Sequence, residues 1–125
     1  MQGQNCILVV DDEPVVRALL RAALEPAGSR LVEALDGCEA LEVAWRERPE
    51  LVLLDVGLPK LSGLDVCRAL KTNPEPPRVL LVTGNADLAD IDACGADGVV
   101  TKPFRPDELL ALVRRELEGA AVNSA

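Results

Sequence analysis

A chain of 125 residues, 49% of them apolar, has the length of one domain and enough apolar residues to bury a core. Its formal charge of -8 argues against a nucleic-acid surface, which would be basic, and against an anionic membrane. It has no histidine, which excludes histidine metal ligands, a Ser-His-Asp triad and a self-contained histidine phosphodonor. No run approaches the ~20 apolar residues of a membrane span. No charged leader precedes an apolar segment, so a cytoplasmic protein is expected. Cys6, Cys38, Cys67 and Cys94 stand singly, with no CxxC pair to point to zinc. They read as reduced, small, mostly buried side chains.

Ile7-Leu8-Val9-Val10 is a short apolar run ended by the acidic pair Asp11-Asp12. Such a run reads as a buried parallel strand. Pro14 then stands where a first helical turn tolerates proline, with Glu13 beside it favouring the dipole. Val16, Leu19, Leu20, Ala23 and Leu24 recur at helical spacing, and Gly28 closes that helix. Leu31 to Ala34 predicts a short second strand. Asp36-Gly37 turns the chain into a helix carrying Ala40, Leu41, Ala44 and Trp45, with Trp45 at the edge of the core; Pro49 ends it. Leu51 to Leu54 is a third strand, ending in Asp55. Ser62 to about Asn73 is a third helix, with Leu64, Val66, Cys67 and Leu70 as its apolar positions. Pro74, Pro76 and Pro77 make a stiff loop. Val79 to Val82 is the fourth strand, ending in Thr83. Asp87 to Cys94 predicts a short, weakly apolar helix. Gly95 to Gly98 leads into a fifth strand that ends at Thr101 and Lys102. Pro106 starts a last helix, with Asp107 and Glu108 in its first turn and Arg114 and Arg115 in its last. Leu109, Leu112, Val113 and Leu117 face the core. Residues 1–118 form the domain, and 119–125 a flexible tail.

Five strands alternating with five helices predict a doubly wound α/β domain, a five-stranded parallel sheet with helices on both faces. In such a sheet, ligands bind outside the carboxyl ends of the strands. The order 2-1-3-4-5 brings Asp11, Asp12, Asp55, Thr83 and Lys102 to one edge. Three acids together repel and call for a divalent cation. A hydroxyl and an ammonium beside that cation suit a phosphoryl group. Each residue alone has a plainer reading: a strand-end aspartate is more often a cap or a turn residue, and a lysine is usually surface. Asp36, Asp65, Asp87, Asp90, Asp92 and Asp97 have no second motif element and are read as surface or cap.

The residues that carry a family likeness are Val9 to Pro14, Leu54 to Pro59 with Ser62-Gly63, Val82-Thr83-Gly84, Gly95-Ala96-Asp97 and Thr101 to Phe104. In this order and spacing the chain resembles the receiver domain of bacterial two-component response regulators, over about Asn5 to Leu117. The resemblance implies a flavodoxin-like fold and a phosphoacceptor at Asp55. It implies Mg²⁺ held by the carboxylates of Asp12 and Asp55, by Asp11 mostly through water, and by the Gly57 carbonyl. Thr83 would hydrogen-bond the phosphoryl group and Lys102 would pair with it. A cis Lys102–Pro103 bond is implied as well. The phosphodonor would be a sensor histidine kinase or a histidine phosphotransfer protein. The domain would catalyse its own phosphorylation and dephosphorylation without turning over a separate substrate. Unphosphorylated, it would be a monomer, and its charge argues against contact with nucleic acid or membrane.

Three positions depart from the family pattern. Val99 stands three residues before Lys102, where an aromatic is common. Gly95 follows Thr83 by only 12 positions, a shorter span than usual. Arg105 replaces the aspartate that often caps the last helix. The first two departures touch the usual output face and leave the phosphoryl chemistry intact. The chain reads as a single-domain regulator or a receiver cut from a longer protein. With no effector following, output is expected through an unknown downstream protein or onward phosphotransfer. The alternatives are a Mg²⁺-dependent phosphohydrolase on a similar fold and a receiver-like interaction module that takes no phosphate.

Overall fold

The structure is a computed structural model and describes residues 5–84 and 92–124. The strands are β1 (Cys6–Val10), β2 (Arg30–Ala34), β3 (Leu51–Asp55), β4 (Arg78–Thr83) and β5 (Gly98–Thr101). They form one sheet in the order β2-β1-β3-β4-β5, with every pairing parallel. Four helices are described in full: α1 (Pro14–Leu24), α2 (Gly37–Glu47), α3 (Gly63–Lys71) and α4 (Pro106–Ser124). The expected order and class are therefore found: a doubly wound, flavodoxin-like α/β domain. Of the helix expected at Asp87 to Cys94, residues 92–94 are described and are helical; its earlier part lies outside the described residues.

β1 and β3 are buried along their whole length, which is why their sequences are continuous apolar runs rather than alternating ones. Alternate side chains feed two cores. On one face Leu8, Val10, Val52, Leu54, Val79 and Leu81 pack with Ala40 and Val43 of α2 and Val66, Cys67 and Leu70 of α3. On the other, Ile7, Val9, Leu51, Leu53, Leu80 and Val82 pack with Leu20, Ala23 and Leu24 of α1 and Leu109, Val113 and Leu117 of α4. Full burial of each Leu, Val or Ile stabilises by about 1.5–3 kcal/mol, so these strands are fixed in register and their ends are fixed in space.

Local signals set the helix boundaries. Asp36 caps α2 by accepting the Glu39 amide at 2.8 Å, and Ser62 caps α3 by accepting the Asp65 amide at 3.2 Å. Pro14 starts α1. α1 tightens into a 3-10 turn, Glu25–Ala27, before Gly28 ends it with φ 72, a left-handed conformation that glycine adopts without strain. Two expectations need correction. α4 continues to Ser124, so the stretch from Gly119 taken as a tail is helical. Ala120 and Ala121, the best helix formers, carry the backbone past Gly119. Arg114 and Arg115 therefore lie in mid-helix. Trp45 is 70% exposed rather than at the core edge. It sits two residues past buried Val43, about 200° around the helix, and the Arg48 guanidinium covers its ring at 5.5 Å.

At the end of the sheet away from Asp55, a polar clamp joins four elements. Asp97, just before β5, accepts from Lys71 Nζ of α3 at 2.6 Å and from the Val79 amide of β4 at 2.7 Å. Lys71 also donates to the Pro77 carbonyl at 2.9 Å. Arg78 lies 3.9 Å from Asp97 and 3.3 Å from Glu116 of α4. Asp97, expected as a surface or cap residue, is thus a structural partner.

Candidate functional site

The parallel register brings the chemistry together. Val10 pairs with Leu54, so Asp11 and Asp55 follow side by side at the carboxyl ends of β1 and β3. Thr83 pairs with Thr101, and the Lys102 amide donates to the Thr83 carbonyl at 2.8 Å. Lys102 therefore enters the same edge from β5. The Lys102–Pro103 bond is cis, as the resemblance implied.

Asp11 is 0% exposed, Asp55 8%, and Asp12 lies at the surface. Carboxylate oxygens of the three come within 4.8 Å of one another. Lys102 Nζ stands 3.4 Å from Asp11 Oδ2 and 3.4 Å from Asp55 Oδ1. These are longer than an ideal charged hydrogen bond of about 2.7–2.9 Å, because one ammonium is shared between two acids. Burial pushes the Asp11 carboxyl above its ordinary range. The Glu13 amide, 2.9 Å from Asp11 Oδ1, draws it back; the Asp55 charge pushes it up again, and Lys102 opposes that push. Burial alone would lower the Lys102 ammonium, but Asp11 and Asp55 outweigh it and hold Lys102 above its ordinary range.

The loop after β3 is tightly seated. The Val56 amide donates to the Val82 carbonyl at 3.3 Å and the Gly63 amide to the Val56 carbonyl at 3.0 Å. A Cβ on Gly63 would collide with the Asp55 carbonyl oxygen, and one on Gly37 would come within 2.6 Å of Leu61 Cβ. Both glycines let the loop press against β3 and against α2. Gly57, in contrast, is exposed and borders open space. Asp11, Asp12, Asp55, Thr83 and Lys102 thus gather where the sequence placed them, with Gly57 at the mouth. Residues 85–91, after Gly84, are not described. The sequence reading missed Arg17, whose Nη1 donates to the Asp11 carbonyl at 2.8 Å, and Glu33, which holds Arg17 Nε at 2.9 Å. The only signal was Arg17 and Arg21 on one helical face. Val99, in place of an aromatic, is partly buried against the α2–α3 core.

Chemically the pocket offers hard oxygen donors around a concentrated negative charge, the donor set that suits Mg²⁺. The strained charge state of Asp11 supports that fit, since a cation beside it offsets both burial and repulsion. The Lys102 ammonium beside these acids suits a phosphoryl group.

Residues 7–114 match the family model described as response regulator receiver domain. The chain is 43% identical over 114 residues to the DNA-binding response regulator MtrA of Mycolicibacterium smegmatis, covering 89% of this chain and 50% of that protein. Its fold is similar to the chemotaxis response regulator CheY4 of Vibrio cholerae, with TM-score 0.84, 28% identity and coverage of 91% of this chain and 99% of that one. A CheY-like receiver domain protein from Methanospirillum hungatei superposes with TM-score 0.88 at 28% identity, covering 97% and 99%. The chain spans about half the length of the curated relatives it matches. The motif at each strand end, the sheet order and the extent of these matches agree: the chain belongs to the response regulator receiver domain family.

Proposed function

We propose that this domain takes a phosphoryl group on Asp55 from the phosphohistidine of a sensor histidine kinase or a histidine phosphotransfer protein, and later loses it to water. The observation that carries the reading is the shared ammonium of Lys102, 3.4 Å from both Asp11 and Asp55 at the open edge of the sheet. An Asp55 carboxylate oxygen attacks phosphorus. The P–N bond to the donor imidazole breaks, and the imidazole keeps the electron pair and takes a proton. The product is an acyl phosphate. In the return step water attacks phosphorus, the P–O bond to Asp55 breaks, and inorganic phosphate leaves.

Asp11, Asp12 and Asp55, with the Gly57 carbonyl, are the residues that would hold Mg²⁺, and Asp11 would act mostly through a water. When bound there, the ion neutralises charge on the phosphoryl oxygens, which is the main demand of this reaction. Lys102 pairs with one phosphoryl oxygen and the Thr83 hydroxyl donates to another. The domain promotes its own phosphorylation and dephosphorylation and turns over no separate substrate. A downstream protein reads the phosphoform. MtrA is named as DNA-binding, but it is twice the length of this chain. With a charge of -8 this domain itself meets neither nucleic acid nor an anionic membrane, and no helix among the described residues is long and apolar enough to cross one. Four free cysteines fit the reducing cytoplasm.

Incubation with acetyl phosphate and Mg²⁺, followed by intact-mass spectrometry, tests the nucleophile. The wild type is expected to gain one phosphoryl group and Asp55→Asn none. Equal labelling of the two would refute the assignment.

A further inference from the structure

Asp11 is held at four points. Its amide donates to the Ala34 carbonyl at 3.3 Å. Oδ1 accepts from the Glu13 amide at 2.9 Å, and Oδ2 faces Lys102 Nζ at 3.4 Å. Its carbonyl accepts from Arg17 Nη1 at 2.8 Å. The last contact comes from a residue with no role in the phosphoryl chemistry above. The Arg17 side chain is 15% exposed, so its position is set by its surroundings rather than by solvent.

Those surroundings are specific. Arg17 Nε donates to Glu33 Oε1 at 2.9 Å, and Arg21, one helical turn later, donates to Glu33 Oε2 at 2.7 Å. Glu33 lies on β2 in register with Val9, two residues before Asp11. A guanidinium is a rigid planar fork. Once Glu33 fixes Nε, the direction of Nη1 is fixed as well. The Asp11 carbonyl belongs to the planar peptide joining Asp11 to Asp12. Holding that carbonyl sets the rotation of the peptide, and with it the directions in which both carboxylates leave the chain. Glu33 also matters electrostatically. It neutralises in place a guanidinium that would otherwise repel a cation at the acidic pocket.

We infer that Arg17, braced by Glu33, is a positioning residue for a divalent cation at Asp11, Asp12 and Asp55. The inference rests on the cation site of the preceding section. A purely structural staple between α1 and β2 would lower stability without touching metal affinity, and that difference is measurable.

Mn²⁺ serves as the probe because it prefers the same oxygen donors and its free form gives a paramagnetic resonance signal. Titrations compare wild type, Arg17→Met, Glu33→Gln and Arg21→Met, each with a thermal melt. Arg17→Met is expected to weaken Mn²⁺ binding about tenfold, the low end of what outer partners of a metal site contribute. Glu33→Gln keeps an oxygen for Arg17 but loses the charge, and should weaken binding about threefold. Arg21→Met loses an ion pair to Glu33 but leaves the Asp11 contact, so its affinity should stay within about twofold of wild type. Wild-type affinity in Arg17→Met would overturn the inference while leaving the cation site standing. Should Arg17→Met not fold, unchanged affinity in Glu33→Gln would overturn it equally. A wild type that takes up no Mn²⁺ would overturn the cation site and the inference together.

Discussion

Burial and the Asp55 charge hold Asp11 in an unfavourable ionised state, even with the Glu13 amide and Lys102 opposing them. The folded carboxyl therefore keeps a proton to a higher pH than the ordinary 3.8. Between that value and the raised one, the native state binds more protons than the unfolded state, so this group makes stability fall as pH rises. Asn at the same position imitates the neutral acid, and Lys102 still has Asp55 as a partner. Without metal at pH 7, Asp11→Asn should melt above wild type. The difference should shrink to nothing toward about pH 3, where the wild-type acid is protonated in both states. Mg²⁺ should raise the wild-type melting temperature by mass action and leave the variant nearly unchanged. Calorimetry at several pH values, with and without Mg²⁺, checks all three; a variant that melts lower than wild type at pH 7 would refute the argument. The acids and the lysine were legible only together, because the strand order brings the ends of several apolar runs to one edge, while each alone reads as a cap or surface residue. Residue identity could not give away Arg17 or Glu33. The partner of Arg17 is a backbone carbonyl, which has no letter in a sequence, and Glu33 reaches it only through Arg17.

Elements were legible where one physical rule acted alone. Strands β1 and β3 are pure apolar runs, and the caps Asp36 and Ser62 sit one residue before their helices. Elements were misjudged where two rules competed. From Gly119 on, the small and polar composition was read as a tail, and α4 runs on to Ser124. In α2 the apolar ring of Trp45 was counted toward the core, but Gly37, Ala40 and Val43 already fill that face. Asp97 belongs to the Gly95-Ala96-Asp97 likeness, but nothing in that motif named its partners, and the pairing of β4 with β5 brings it to Val79 and Lys71. The position of Trp45 has a spectroscopic consequence. It lies eight residues along α2 from Gly37, roughly 12 Å down the axis from the end that meets the Asp55 loop. Its ring is covered by the Arg48 guanidinium. Trp45 emission should change little when Mg²⁺ or beryllofluoride is added. Strong quenching would show that the far end of α2 senses the site directly.

At the level of the whole molecule, a switch needs an element with two arrangements for phosphorylation to bias, and among the described residues of β5 the position three before Lys102 offers only Val99. Val99 is partly buried in the α2–α3 core and, being β-branched, is stiff about its first torsion. It has no ring to swing outward. Beryllofluoride with Mg²⁺ is therefore expected to leave the domain monomeric by light scattering. A shift to dimer that disappears on charge reversal at Arg114 or Arg115 would contradict this. The clamp of Lys71, Asp97, Arg78 and Glu116 suggests how a signal could travel instead. It fastens α3, β4, the entry to β5 and α4 at one end of the sheet, while the opposite end has open space at Gly57 and Gly84. Local opening should thus be graded along the strands, with amide exchange slowest near Val79 and fastest around the phosphoacceptor loop. On that expectation the domain is a reed gripped at its base: the Asp97 clamp holds the register of the strands, and the end near Gly57 is the one left free to bend.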